Sequence, residues 1–157
     1  MYQSTKRYGH ELGLSACFRQ HKADSHCNLL HGYALSFKFV FEAKELDERN
    51  WVQDFGGLKE LKQALMLAFD HKLLVAKDDP QIDMLCSLAG LGIADVVVMH
   101  SVGCEAFARH AFVLAKFWVQ DRQHLLADGR QRMRVVSCEV AEHGANSAIY
   151  FGGRHDD

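Results

Sequence analysis

The segment Cys27-Asn28-Leu29-Leu30-His31-Gly32-Tyr33 sets a thiol, an imidazole and a phenol around one glycine, with further imidazoles at His26 and His21. His21, His26 and His31 recur at intervals of five residues. Zinc takes neutral imidazole nitrogens, and a catalytic zinc site needs three protein ligands and one open position. Two histidines are readily found here; the third ligand is not, and surface imidazoles in a loop are the competing reading. Cys27 lies four residues before His31, so a turn could bring its sulfur close to a cation that favours the thiolate. A buried, inert thiol is the alternative for Cys27, and the expected state of Cys17, Cys86 and Cys138.

Two further groups could move or hold protons. Asp70-His71 places a carboxylate beside an imidazole that it could orient, as in proton relays, although neighbours on regular structure rarely face each other. The alternative is a helix end with His71 set against the dipole. In the stretch Val135 to His143, period-two reading puts Val136, Cys138, Val140 and Glu142 on one side. A carboxylate on an otherwise apolar row needs a partner, either an internal cation or a ligand presenting two N–H groups, such as a pterin or guanine edge. A strand end reaching solvent is the other reading for Glu142.

The elements that must position these groups are legible from periodicity. Residues 34–43 alternate, with Leu35, Phe37, Phe39 and Phe41 on one side, which predicts a half-buried strand. If that strand starts early, His31 and Tyr33 share the phenylalanine side. Asp54 precedes a helix pattern with Leu58, Leu61, Leu65 and Ala68 as its apolar stripe, and Gly56 and Gly57 weaken its first turn. A second long helix is expected over 104–119 with Phe107, Leu114 and Trp118 in register, and a shorter one over 81–90. Residues 94–100 read as a strand, and 132–152 as strand, turn and strand around Gly144, Ala145 and Asn146. Paired strands at both ends with helices between predict an α+β fold with an antiparallel sheet.

Composition bounds the class. A chain of 157 residues fits one domain, expected to span 1–157, and 48% apolar against 24% charged residues is a globular balance. A net charge of -2 without a basic block argues against nucleic acid or an anionic membrane as partner, leaving a small molecule. Five cysteines without a CxxC pair suit neither a disulfide framework nor a thiolate zinc site. No apolar run is long enough to span a membrane and the first residues lack the apolar core of a secretory signal, so a cytoplasmic location is expected.

Taken together, these residues resemble the 6-pyruvoyltetrahydropterin synthase and 6-carboxytetrahydropterin synthase family, over roughly Leu12 to Gly152. "FRQH" at 18–21 resembles the family segment ending in a zinc-ligand histidine, and "CNLLHGY" resembles its C-x3-HGH. "WVQDFGGLK" at 51–59, "FDHKLL" at 69–74, "VGCE" at 102–105 and "EHGANSAIY" at 142–150 follow the family's remaining motifs in order and spacing. The three residues between Cys27 and His31 resemble the bacterial 6-carboxytetrahydropterin branch of the queuosine pathway, the pyruvoyl enzymes usually having more.

The resemblance implies a T-fold: an antiparallel sheet with helices packed on one face, assembling into a barrel as a hexamer of two trimers with active sites between subunits. It implies that Glu142 holds the pterin edge of 7,8-dihydroneopterin triphosphate, helped by the backbone around Gly103, Cys104 and Glu105. Cys27 and His71, the latter oriented by Asp70, become the acid/base pair, and zinc on His21 and His31 polarises the side-chain hydroxyls. The products are 6-carboxy-5,6,7,8-tetrahydropterin, acetaldehyde and triphosphate. Tyr33 stands where the third zinc histidine belongs, and a phenol with a reference pKa of about 10 is a poor ligand at neutral pH unless the metal ionises it. The alternatives are a T-fold that binds a pterin or purine without turning it over, having lost its metal, and pyruvoyl-type elimination of triphosphate.

Overall fold

The computed structural model describes residues 1–121 and 125–153. In chain order its elements are β1 (Tyr2–Tyr8), β2 (Leu14–Phe18), β3 (His31–Ala43), α1 (Lys59–Phe69), β4 (Lys72–Ala76), α2 (Ile82–Gly90), β5 (Asp95–Met99), α3 (Cys104–Asp121), β6 (Met133–His143) and β7 (Asn146–Phe151). The expected central strand begins three residues earlier than its clear alternation, at His31. Leu35, Phe37, Phe39 and Phe41 are wholly buried along one side of β3, and His31 and Tyr33 continue that row at its open end. The period of two has therefore carried the two site residues onto the core face.

Because β3 is long, it is shared along one edge by two partners. Its first half pairs antiparallel with β2 (His31 opposite Phe18, Tyr33 opposite Ala16) and its second half with β1, while β6 runs along the other edge. The strand order is β5-β4-β2-β3-β6-β7, with β1 beside β3. The antiparallel sheet expected from the sequence comprises β1, β2, β3, β6 and β7. It is extended by β4 and β5, which pair in parallel and make the whole sheet mixed. Residues 72–76 carried no alternation because β4 is covered on both faces. Leu74 joins the main core, while Leu73 and Val75 pack with Leu85, Ile82 and Leu88 of α2.

Asp54 caps as expected, accepting from the Gly56 amide at 2.8 Å. The turn it caps is a short 3-10 turn, Phe55–Leu58, with α1 starting after the two glycines, whose entropic cost in an α-helix is about 1 kcal/mol each. Leu58, Leu61, Leu65 and Phe69 are buried, with Ala68 at the margin. The long helix α3 buries Phe107, Ala108, Ala111, Phe112 and Ala115 against the same core. Tyr8 donates to the Leu58 carbonyl at 3.1 Å, and burial pushes its phenol up to about 12.

The start of β3 depends on one glycine. A Cβ on Gly32 would lie 2.7 Å from the Ala16 carbonyl oxygen of β2, a backbone atom that cannot swing aside. Gly32→Ala is expected to destabilise the protein by about 1–3 kcal/mol through overpacking, read as a lower urea midpoint with unchanged slope. An unchanged midpoint would show that the two strands can part there at no cost.

Candidate functional site

Three stretches distant in sequence, residues 26–33, the start of α3 and the end of β6, meet where β3 opens beyond the reach of β6. The row His31–Tyr33 comes from β3, and its rings pack edge-on with centroids 5.6 Å apart, His31 lying 4.8 Å from the Phe18 ring. Cys27 sits on the short turn His26–Asn28, capped by Ser25, whose hydroxyl accepts from the Cys27 amide. From α3 comes Cys104, the first helical residue after Gly103. The end of β6 supplies Glu142 and His143, the latter with its ring 6.0 Å from that of Tyr33.

Electrostatics record this convergence. The Tyr33 phenol is raised above its ordinary value first by desolvation and then by the charge of Glu142, with smaller contributions from the Cys27 and Cys104 sulfurs. The Cys104 thiol is pushed up to about 12, by burial foremost and then by Glu142 and Glu105, and it hydrogen-bonds Glu142. Cys104 is thus a protonated donor to the carboxylate and no nucleophile. Cys27 and Glu142, 115 positions apart, both act electrostatically on one phenol.

The route by which Glu142 reaches this place differs from simple alternation. The β3–β6 register shifts so that Val40 faces Ser137 and Phe41 faces Val135, leaving Val136 as a bulge. Met133 and Val135 face the core before it, Cys138 and Val140 after it, and Val136 is off that row. A second irregularity against β7, between Ala141 and His143, sets Glu142 at a bulge of its own. Bulges re-aim side chains at sheet ends, and this one turns the carboxylate to Cys104.

Gly103 has φ +114, and a Cβ there would meet the Gln20 amide nitrogen at 2.7 Å. Sequence reading passed over Gln20, which lies between Gly103 and a cleft of about 320 Å³ whose lining includes His21, Lys77, His100 and Val102. It also passed over His143, since alternation sends it to the opposite side from Glu142.

Asp70 and His71 do pair, His71 Nδ1 lying 2.8 Å from Asp70 Oδ1. His71 has φ +56, a left-handed conformation that breaks the regular geometry in which neighbours point apart. The Ser15 amide donates to Asp70 and the His71 amide to the Ser15 carbonyl, which fixes the pair to the start of β2. Cys27 is tied to the other end, its carbonyl accepting from Gln20 at 2.9 Å. From Ser15 to Gln20 the chain advances about 16 Å at strand spacing. The His71 side chain is 84% exposed.

The candidate metal ligands divide. His31 Nδ1 donates to the Leu29 carbonyl at 2.7 Å, leaving Nε2 with a free lone pair, the arrangement of a ligating histidine. His21 instead lies between carboxylates, its Nε2 3.9 Å from Asp78 and its Nδ1 3.9 Å from Asp79. Tyr33, with its proton held more tightly than usual, is a hydrogen-bond donor and a poor metal ligand. Among the described residues no group of three or more His, Cys, Asp or Glu side chains is gathered to hold a metal ion. Within one chain the side chains present do not fit a three-ligand zinc site.

The fold and the paired groups define an α+β T-fold protein. Among solved structures it is similar to an uncharacterized protein from Wolinella succinogenes (TM-score 0.76, 19% identity, 97% of this chain and 98% of that one). It is also similar to the 6-pyruvoyl tetrahydropterin synthases of Plasmodium falciparum (TM-score 0.58, 11% identity, 94% and 96% covered) and Caenorhabditis elegans (TM-score 0.56, 16%, 97% and 94%). Residues 10–153 match the model of the 6-pyruvoyl tetrahydropterin synthase family, and the chain belongs to that family. A 6-carboxy-5,6,7,8-tetrahydropterin synthase of Rickettsia bellii is 31% identical over 83 residues, 52% of this chain and 57% of that relative. The match thus spans little more than half the length of this curated relative. No described helix is long and apolar enough to cross a membrane.

Proposed function

We propose that the protein is a carbon-carbon lyase acting on 7,8-dihydroneopterin triphosphate and releasing 6-carboxy-5,6,7,8-tetrahydropterin, acetaldehyde and triphosphate. The observation that carries this reading is that Cys27 and Glu142 both act electrostatically on Tyr33, which places a group able to move a proton and a carboxylate able to hold a pterin in one electrostatic neighbourhood. Glu142 accepts the two N–H groups of the pterin edge, and the backbone of Gly103 to Glu105 lines it. Cys27, as thiolate, takes a proton from the substrate side chain. The protonated Tyr33 phenol offers a hydrogen bond to a side-chain oxygen. The triphosphate extends past Gln20 into the neighbouring cleft, where Lys77 and His100 supply cationic or donor groups.

His71 and Asp70 complete the acid/base pair from a neighbouring copy. Support comes from the length of β2 separating this dyad from its own Cys27, and from His71's exposure. The edge strands point the same way: β7 exposes Ile149 and Phe151 by 51% and 65%, and β5 exposes Val98 by 48%. Apolar edges of this kind call for pairing with another chain. A barrel built from several copies, as a hexamer of two trimers, closes them. In this reading the protein works in the cytoplasm within deazapurine synthesis.

The second reading, pterin binding without turnover, is favoured by Tyr33 in the third-ligand position. The two separate on one experiment. Purified protein given 7,8-dihydroneopterin triphosphate, with chelator or with added zinc, is expected to release acetaldehyde in step with pterin product. Pterin binding without product under either condition establishes the second reading, and a product mass showing only triphosphate elimination establishes the pyruvoyl type.

A further inference from the structure

The loop that carries Cys27 is tied at its foot by a fork of hydrogen bonds that the proposed chemistry does not itself use. Arg19, one residue past β2, reaches across to the segment after β4. Its Nε donates to Asp79 Oδ2 at 2.9 Å and its Nη2 to Asp79 Oδ1 at 2.8 Å, a bidentate pair. The Asp79 side chain is 1% exposed and that of Arg19 20%, so water competes little for the pair. Asp79 also accepts from the Gln81 amide at 2.8 Å, which fixes the carboxylate independently of the arginine. The remaining arm, Nη1, turns the other way and donates to the backbone carbonyl and the side-chain oxygen of Asn28, at 3.4 and 3.3 Å. Asn28 is the residue after Cys27 on the same short turn. Lys22 with Asp78 adds a second, exposed tie between the same two segments.

We infer that Arg19 and Asp79 are positioning residues for Cys27: the buried carboxylate aims the guanidinium, and the guanidinium holds the Cys27 turn against the end of β2. This rests on the lyase reading for its effect on rate, while the mechanical part stands on geometry alone. Only a planar fork can bond a carboxylate with two nitrogens and still present a third to Asn28; a lysine ammonium has the charge without the reach. The turn is otherwise held by the Gln20 amide to the Cys27 carbonyl and by the local Ser25 cap. With the fork removed, the thiol loses its fixed place more than the pterin loses Glu142, which β6 and Cys104 hold independently.

The test uses the full chain with Arg19→Lys, Asp79→Asn and Asn28→Ala. The last leaves the buried pair intact, so that folding is preserved even if a clamp variant fails to fold. Amide hydrogen exchange of residues 26–29 is expected to quicken at least tenfold in Arg19→Lys and Asp79→Asn, and several-fold in Asn28→Ala. On the lyase assay, kcat is expected to fall about 10–100-fold in the first two, the usual range for residues that orient catalytic groups, with KM within about threefold. Arg19→Lys retaining wild-type exchange and kcat overturns the inference, as does faster exchange with kcat unchanged. If wild-type protein forms no product, the lyase reading fails by itself, and exchange in the three variants still decides whether the fork holds the turn.

Discussion

Cys27→Ala is expected to lower single-turnover product formation by about 1,000-fold, the middle of the range for a positioned general acid or base, while leaving pterin affinity within about threefold. The separation of the two readouts follows from the site's construction. Cys27 stands on its own turn, tied to Gln20 and Arg19 through backbone and the neighbouring residue, so removing its sulfur breaks none of the bonds that hold the turn. In the proposed mechanism the pterin edge is held by Glu142, which stands at the end of β6 and is coupled to Cys104 of α3. Cys27→Ser sharpens the result, since a hydroxyl of similar size keeps the packing but ionises far less readily; it should track the alanine variant. Rapid-quench assays on enzyme in excess of substrate, paired with pterin fluorescence titration, give both quantities. A Cys27→Ala protein that still forms product within tenfold of wild type removes the thiol from the mechanism.

How much of this was legible beforehand depended on whether the determining contacts are local. The period of two over 35–41 placed His31 and Tyr33 on the core side because β3 is uninterrupted there, and α1 and α3 were visible because each packs one apolar stripe. β4 was hidden, since a strand covered on both faces carries no alternation, and residues 72–76 were given no element of their own. The even row from Val136 to Glu142 was half right. A bulge at Val136 lies in the register between strands, and no property of β6's own sequence announces it. For Asp70 and His71, adjacency alone is modest evidence because neighbours on regular structure rarely face each other, and the left-handed backbone of His71 removes that objection. Arg19 and Asp79, sixty residues apart, each look like ordinary surface charges until the parallel pairing of β2 with β4 brings them together.

Glu142→Gln is expected to change two observables in opposite directions. Pterin binding should weaken by about 3 kcal/mol, roughly 100-fold in Kd, because a carboxylate accepting two N–H bonds is replaced by an amide that can accept only at its single oxygen and turns a donor toward the ligand. At the same time the Cys104 thiol, held up to about 12 by burial first and by Glu142 and Glu105 after it, loses one adjacent negative charge and the acceptor of its S–H bond. Both losses favour the thiolate, so its ionisation moves down toward the ordinary thiol range while the burial contribution remains. Alkylation of Cys104 by iodoacetamide should therefore quicken between pH 9 and 11 in the variant, with both proteins unreactive at pH 7, as mass spectrometry of the labelled peptide would show. Glu105→Gln provides the internal comparison. It removes a charge from Cys104 but no side-chain partner from the pterin, so labelling should rise modestly and Kd stay within about threefold. Equal loss of pterin affinity in both variants would mean that the ligand is held by the net charge of the region, and the assignment of Glu142 as the group that grips the pterin edge would fall. Unchanged Cys104 labelling in Glu142→Gln would separate the two side chains in solution and undo the convergence on which the shared site depends.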